Sequence, residues 1–188
     1  MNTKSILYVA AALLAVVSCG SRGNKKAQTE TCFTAIDKYL SEVIGTQYSP
    51  GEVCIPYQNA IAVDESNQQD IQVLGDFWVD NYRVSGDTLL FVSGGNHPGK
   101  MHVSKDGEGH FTVTGFDAVG DGSSFLPTAK AIFGDNFEAF QKENSNHEKR
   151  EEIRRNAIAE YVSLHGLPVK VYKDYGWPAV EIPKVPAK

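Results

Sequence analysis

Three histidines, His97, His102 and His110, fall in one short stretch, with Asp117 a little further on. Imidazole nitrogens and a carboxylate are a donor set for a divalent transition metal. With a turn centred on Asp106-Gly107, His102 and His110 would lie diagonally on one face of adjacent strands. Half-exposed polar positions on the outer face of a sheet are the simpler reading. Neither H-E-x-x-H nor a paired C-x-x-C spacing is present, so no metal is expected. Ser93 precedes Gly94-Gly95-Asn96, but no G-x-S-x-G elbow surrounds it. The N–H groups of that glycine run could meet an anion, yet no helix start follows to reinforce them. Glycine serving a tight turn is the plainer reading. No cofactor is expected either.

The aromatics are the remaining chemical feature. Phe77-Trp78-Val79 and the trio Phe133, Phe137 and Phe140 could line a cleft, and a core cluster is their default role. Tyr175-Gly176-Trp177-Pro178 reads as a loop, where large exposed aromatics mark a binding surface. Tyr175 and Trp177 are therefore the candidate binding residues.

The elements that would hold these residues can be read from periodicity. Phe33, Ile36, Leu40 and Val43-Ile44 have helical spacing and end at Gly45. Val53, Ile55 and Tyr57 alternate, with Pro56 pushing that strand to an edge or a bulge. Ile71 to Val84, Thr88 to Val92, Met101-His102-Val103 and Phe111 to Phe116 follow as strands. The breaks between them are Ser85-Gly86-Asp87, the cluster Gly94 to Gly99, and Asp106-Gly107. Strands this close, joined by Gly/Asp turns, make an antiparallel meander rather than a parallel sheet. Beyond Gly122 the period becomes helical: a short helix from Ser124, another around Phe137 and Phe140, and a longer one opened by Ser145-Asn146-His147-Glu148. That last helix carries Ile153, Ala157, Ile158, Tyr161, Val162 and Leu164 on one side and stops at Gly166 and Pro168. Two short β-prone pieces, Val169–Tyr172 and Ala179–Ile182, end the chain. Residues 29–182 are expected to form one α+β domain. In it an N-terminal helix packs on a curved antiparallel sheet (29–121), followed by a mainly helical extension (123–182) and a loose tail (183–188).

At the N-terminus, Lys4 precedes an uncharged run from Ile6 to Val17. It is about 12 residues long, against the roughly 20 a membrane-crossing helix needs. Positive start, short apolar core and small residues make a secretory signal. The run ends in Val16-Val17-Ser18-Cys19, which resembles the lipobox of bacterial lipoproteins. The resemblance implies cleavage after Ser18 and a lipid on Cys19, with 1–18 as signal peptide and 19–28 as a polar tether. An ordinary secretory signal, or a buried core helix that happens to be followed by a Cys, is the alternative. No acidic residue follows Cys19 closely, which points to the periplasmic face of an outer membrane. The expected partners are the membrane, through the lipid, and an envelope protein or small ligand. In that compartment Cys32 and Cys54 could bridge, or remain two buried thiols, since Cα separation decides and sequence does not give it. Loss of residues 1–18 would remove one lysine and no acid, taking the net charge from −5 to −6. An acidic domain of this kind lacks the basic footprint of a nucleic-acid binder.

A helix laid across a curved meander is similar to the cystatin-like and NTF2-like folds. NTF2-like enzymes place an acid–base pair between sheet and helix, which would make Asp76, Asp80, Tyr82 and Asp117 the candidates. Solvated surface carboxylates are the alternative reading of the same residues. A cystatin-type inhibitor needs a Q-x-V-x-G loop, and Gln72-Val73-Leu74-Gly75 has the wrong spacing. The sequence therefore points first to a non-catalytic binding module. An NTF2-like enzyme and a purely structural lipoprotein are the alternatives.

Overall fold

Thr31 starts the first helix. Its hydroxyl accepts from the Thr34 N–H at 3.2 Å while the Thr34 hydroxyl accepts from the Thr31 N–H at 2.9 Å, a reciprocal cap on two otherwise unpaired donors. The structure is a computed structural model describing residues 30–185. The expected signal peptide, Cys19, the tether and positions 186–188 of the tail lie outside the described residues. Helix α1 (Cys32–Tyr39) runs on through a π turn (Leu40–Ile44) and a 3-10 turn (Gly45–Gln47). Its apolar stripe buries Ile36 and Leu40 completely.

Five strands follow: β1 (Val53–Asp64), β2 (Ile71–Ser85), β3 (Thr88–Asn96), β4 (Gly99–Lys105) and β5 (Phe111–Ala118). β2 is the spine. It pairs with β1 along one edge, from Val53 opposite Tyr82 to Asp64 opposite Gln72. Along its other edge it pairs with β3 and then β4. Among the described residues β1 has no further partner strand, so Pro56 sits on an edge as its missing N–H requires.

The cluster from Gly94 to Gly99 does not turn the chain. Asn96 stands opposite Trp78 and Gly99 opposite Gly75, so β3 and β4 are one line interrupted only at His97-Pro98. Neither Gly94 nor Gly95 has positive φ. They are glycines because neighbours come too close for a side chain. A Cβ at Gly94 would lie 2.9 Å from the Asp80 Cα, and one at Gly95 3.0 Å from the Tyr48 ring.

Alternation along β2 sends Ile71, Val73, Phe77 and Val79 to the face under α1. There they pack with Ile36, Leu40, Met101 and Val103 into a core with no exposed member. The opposite face carries Leu74, Asp76, Trp78, Asp80 and Tyr82. It is covered by α2 (Phe125–Phe133), α3 (Phe137–Asn144) and α4 (His147–His165), after which β6 (Val171–Lys173) and β7 (Val180–Glu181) extend the sheet beyond β3. The expected helical extension is thus a second covering layer, because the even-numbered face of β2 carries Leu74, Trp78 and Tyr82 beside Asp76 and Asp80 and is buried as well. Phe133 and Phe140 stack at 4.0 Å within it. The Asn146 side chain caps α4 by accepting from the Lys149 N–H, and Gly166 ends the helix at φ 61. Leu164, expected on the buried side, is 71% exposed.

The architecture is therefore α+β, with a curved, open, mostly antiparallel seven-stranded sheet. Among the described strands one pairing is parallel, β3 with β6 (Thr88 opposite Val171), and it follows from the helical excursion that returns β6 to the edge of β3. No described helix is long and apolar enough to cross a membrane.

Candidate functional site

The face beneath α4 holds a buried charge cluster that periodicity alone does not reveal. The Asp80 Oδ2 accepts from the Tyr57 hydroxyl at 3.2 Å and from the Tyr82 hydroxyl at 3.1 Å, and lies 3.0 Å from the Arg154 Nε. The Tyr82 hydroxyl in turn accepts from the Arg154 Nη2 at 2.9 Å. Asp174, just past β6, closes on the guanidinium from the other side. Its two oxygens accept from Nη1 at 2.8 Å and Nη2 at 2.6 Å, the bidentate geometry an arginine fork favours. Three rings surround the same guanidinium, with the Tyr82, Phe91 and Tyr172 centroids between 5.2 and 5.9 Å away.

Electrostatics follow from burial. Arg154 is 6% and Asp80 5% exposed. Burial lifts the Asp80 carboxyl above its ordinary value, with Arg154 and the two phenols opposing. Burial works against the charge of Arg154 too, but Asp174, Tyr82 and Asp80 outweigh it and hold the guanidinium more firmly charged than usual. Burial pushes both phenols well up, so Tyr57 and Tyr82 remain protonated donors. Every strong group of the cluster is thus satisfied by another member of it.

Asp80, Arg154 and Asp174 also line an open cleft of about 420 Å³. Its floor is Tyr57 stacked on Trp78, centroids 5.4 Å apart and planes 6° from parallel. Gly94, Gly95 and Asn96 of β3 form one wall and Arg150 another. Tyr175 and Trp177, the binding residues expected from sequence, line its mouth at 97% and 71% exposure. Arg150 donates to the His147 Nδ1 at 2.8 Å and has no carboxylate within ion-pair distance among the described residues.

The other sequence candidates are scattered. His102 bridges Asp70 at 2.7 Å and Asp117 at 3.2 Å, tying β4 to β5 and to the turn before β2. Burial lowers its pKa, but those two carboxylates outweigh burial and raise it overall. His110 instead contacts Asp106 in its own turn, and His97 meets the Tyr48 hydroxyl at 2.8 Å. The three histidines do not converge, and no described group of three His, Cys, Asp or Glu residues is arranged for a metal. The Ser93 hydroxyl donates to the Ser49 carbonyl, with no base beside it.

Asp76 and Asp80 do not face α1. They sit on the opposite side of the sheet, and the α1 side is filled with hydrocarbon. Asp76 is fully buried, and neither of its oxygens has a partner in hydrogen-bond geometry. Burial pushes it to about 7, against the Asn96 amide and the Arg150 charge nearby.

Cys32 and Cys54 are free thiols, so the disulfide the sequence left open is not formed. Cys32 opens α1, whereas the Cys54 thiol points at the Ser41 carbonyl near the far end of the same helical run. At about 1.5 Å per residue, those two levels are roughly 13 Å apart, beyond the reach of a bridge. Burial raises both thiols, Cys54 to about 11, so neither is a reactive thiolate at neutral pH.

Arg154 escaped the sequence reading, as did Tyr57 and Asp174. One signal was present: Arg154 lies four positions before Ile158, on the apolar stripe of α4, where a charge needs a buried partner. Nothing in the sequence located that partner on β2. No protein-family model, curated protein or solved structure matches this chain. Fold and site together define it as an α+β protein with an aromatic-lined cleft over a buried ion cluster centred on Arg154.

Proposed function

We propose that this chain is a lipid-anchored envelope lipoprotein whose folded domain is a non-catalytic binding module, and that its ligand enters the cleft between β3, α4 and the loop after β6. The observation that carries this reading is the pair Tyr175 and Trp177, large aromatics left almost bare at the mouth of a cleft with a stacked aromatic floor. Exposed aromatics of this size, next to a preformed concavity, are characteristic of recognition surfaces. Against catalysis stands the saturation of the cluster: Asp80 and Arg154 are committed to each other, to two phenols and to Asp174. Kinship with the cystatin-like and NTF2-like folds belongs to the same proposal, supported by a helix lying across an antiparallel meander.

The anchor and the cleft are tested separately. Cys19→Ser is expected to abolish palmitate incorporation and release the protein from the membrane fraction; unchanged labelling would remove the lipobox reading. For the cleft, the full chain is screened against a random heptapeptide display library and a glycan array, beside the double variant Tyr175→Ala/Trp177→Ala. Both side chains are exposed, so the variant should unfold at the parent's midpoint while losing at least about tenfold in affinity for whatever the parent captures. Captured molecules that bind both proteins equally would sink the cleft reading and leave a purely structural lipoprotein.

A further inference from the structure

The outer edge of β3 is open. β6 stops at Lys173, opposite Leu90, and β5 stops at Ala118, opposite Gly99. Between them Phe91 to Asn96 pair with β2 on one side and with no described strand on the other. The hydrogen-bond parity of this stretch can be fixed. The His97 N–H donates to the Phe77 carbonyl of β2, and the Pro98 carbonyl accepts from the Val119 N–H on the opposite side. From Ser93 to His97, beyond the bulge at Val92, odd positions therefore face β2, and alternation leaves the N–H and C=O of Gly94 and Asn96 directed outward. Both residues line the cleft; Gly94 is half-exposed and Asn96 exposed.

Unpaired main-chain groups in a notch between two strands are a template for a further strand. Six residues at about 3.3 Å each fill roughly 20 Å of edge, the length of a short peptide. Charge adds a local preference. Asp80 and Asp174 are both held by Arg154, which leaves Arg150, near Asn96, as the cation of the cleft lining without a carboxylate partner among the described residues.

Building on the cleft reading above, we propose that the ligand is an extended peptide that adds as a strand to β3 in the notch between β6 and β5. Its main chain bonds to Gly94 and Asn96, a carboxylate meets Arg150, and an apolar side chain rests against Tyr175 and Trp177. Backbone pairing supplies affinity and the flanking side chains supply selectivity, as in other cases of strand addition.

The experiment is amide hydrogen exchange on the full chain, read by NMR with and without a saturating heptapeptide selected from the display library. Free, Gly94 and Asn96 exchange fast while Gly95 and His97 are already protected. Bound, Gly94 and Asn96 slow by at least about tenfold and Gly95 and His97 stay as they were. Arg150→Gln lowers affinity for an acidic heptapeptide by about tenfold, and not for its Glu→Gln counterpart. Heptapeptides that need Tyr175 and Trp177 yet leave Gly94 and Asn96 exchange unmoved overturn strand addition and leave the cleft reading standing. Capture of glycans alone does the same. Binding indifferent to Tyr175 and Trp177 overturns both.

Discussion

Replacing Arg154 by methionine is expected to destabilise the fold by about 3–5 kcal/mol, the usual consequence of removing one partner from a buried ion pair. Methionine fills the aromatic cage with a flexible apolar chain, so volume is not the main loss. The loss is the countercharge: Asp80, 5% exposed, keeps a carboxylate with two phenols for company and no cation. Urea unfolding followed by circular dichroism measures it. The double variant Asp80→Asn/Arg154→Met separates charge from packing. Asparagine still offers an oxygen to Tyr57 and Tyr82 but carries no charge, so the pair of changes should recover more than half of the lost stability. A single variant within about 1 kcal/mol of the parent would show that water reaches Asp80 and that the cluster is not dry.

The second large effect concerns Asp76, and its sign can be worked out. Its folded pKa is about 7 against 3.8 for the free side chain. Between those values the folded protein holds a proton that the unfolded chain has released. Stability is therefore fully present below pH 4, falls as pH rises toward 7, and stays low above it. At about 1.4 kcal/mol per pKa unit the full swing is on the order of 4 kcal/mol. Asp37, lifted by burial to about 6, adds a loss of the same sign that is complete at lower pH. Asp70 and Glu143, lowered by hydrogen bonds to His102 and Lys149 respectively, act oppositely and only at acid pH. Asp76→Asn removes the ionisation while keeping the shape. It is expected to exceed the parent by roughly 2–4 kcal/mol at pH 8 and to lose that advantage progressively as pH falls from about 7, completely only below about 4. A difference that does not change with pH would place the titration elsewhere.

The architecture was largely legible in the sequence, for reasons visible in individual elements. Ile36 and Leu40 repeat at helical spacing, Val73, Phe77 and Val79 share one strand parity, and Gly86 and Gly166 sit where positive φ is needed. Each signal is local, so each survives without knowledge of the fold. What failed was non-local. Gly94 and Gly95 look like a turn from their neighbours in sequence, yet their identity is set by Asp80 and Tyr48, which only the fold brings close. The helical extension looked detachable because no periodicity reveals that the far face of β2 also has to be covered. Of the site, Tyr175 and Trp177 could be named because exposure of aromatics on a turn follows from composition. Arg154 and Asp174 could not, because their meaning lies in distances to Asp80 and Tyr82 across the chain.

The parallel return of β6 to β3 also bears on how the molecule assembles. Thr88 and Val171 are paired across the whole helical stretch that separates them in the chain. The meander up to β5 closes through short hairpins, whereas this pairing closes a long loop, which is the slower kind of event on entropic grounds. Arg154 and Asp174 arrive with that final closure, so the ion cluster and the mouth of the cleft are expected to form together and late. A chain that stalls before it would carry a finished hydrocarbon core under α1 and a bare, charged sheet face on the other side, a half-built protein whose surface advertises that it is incomplete.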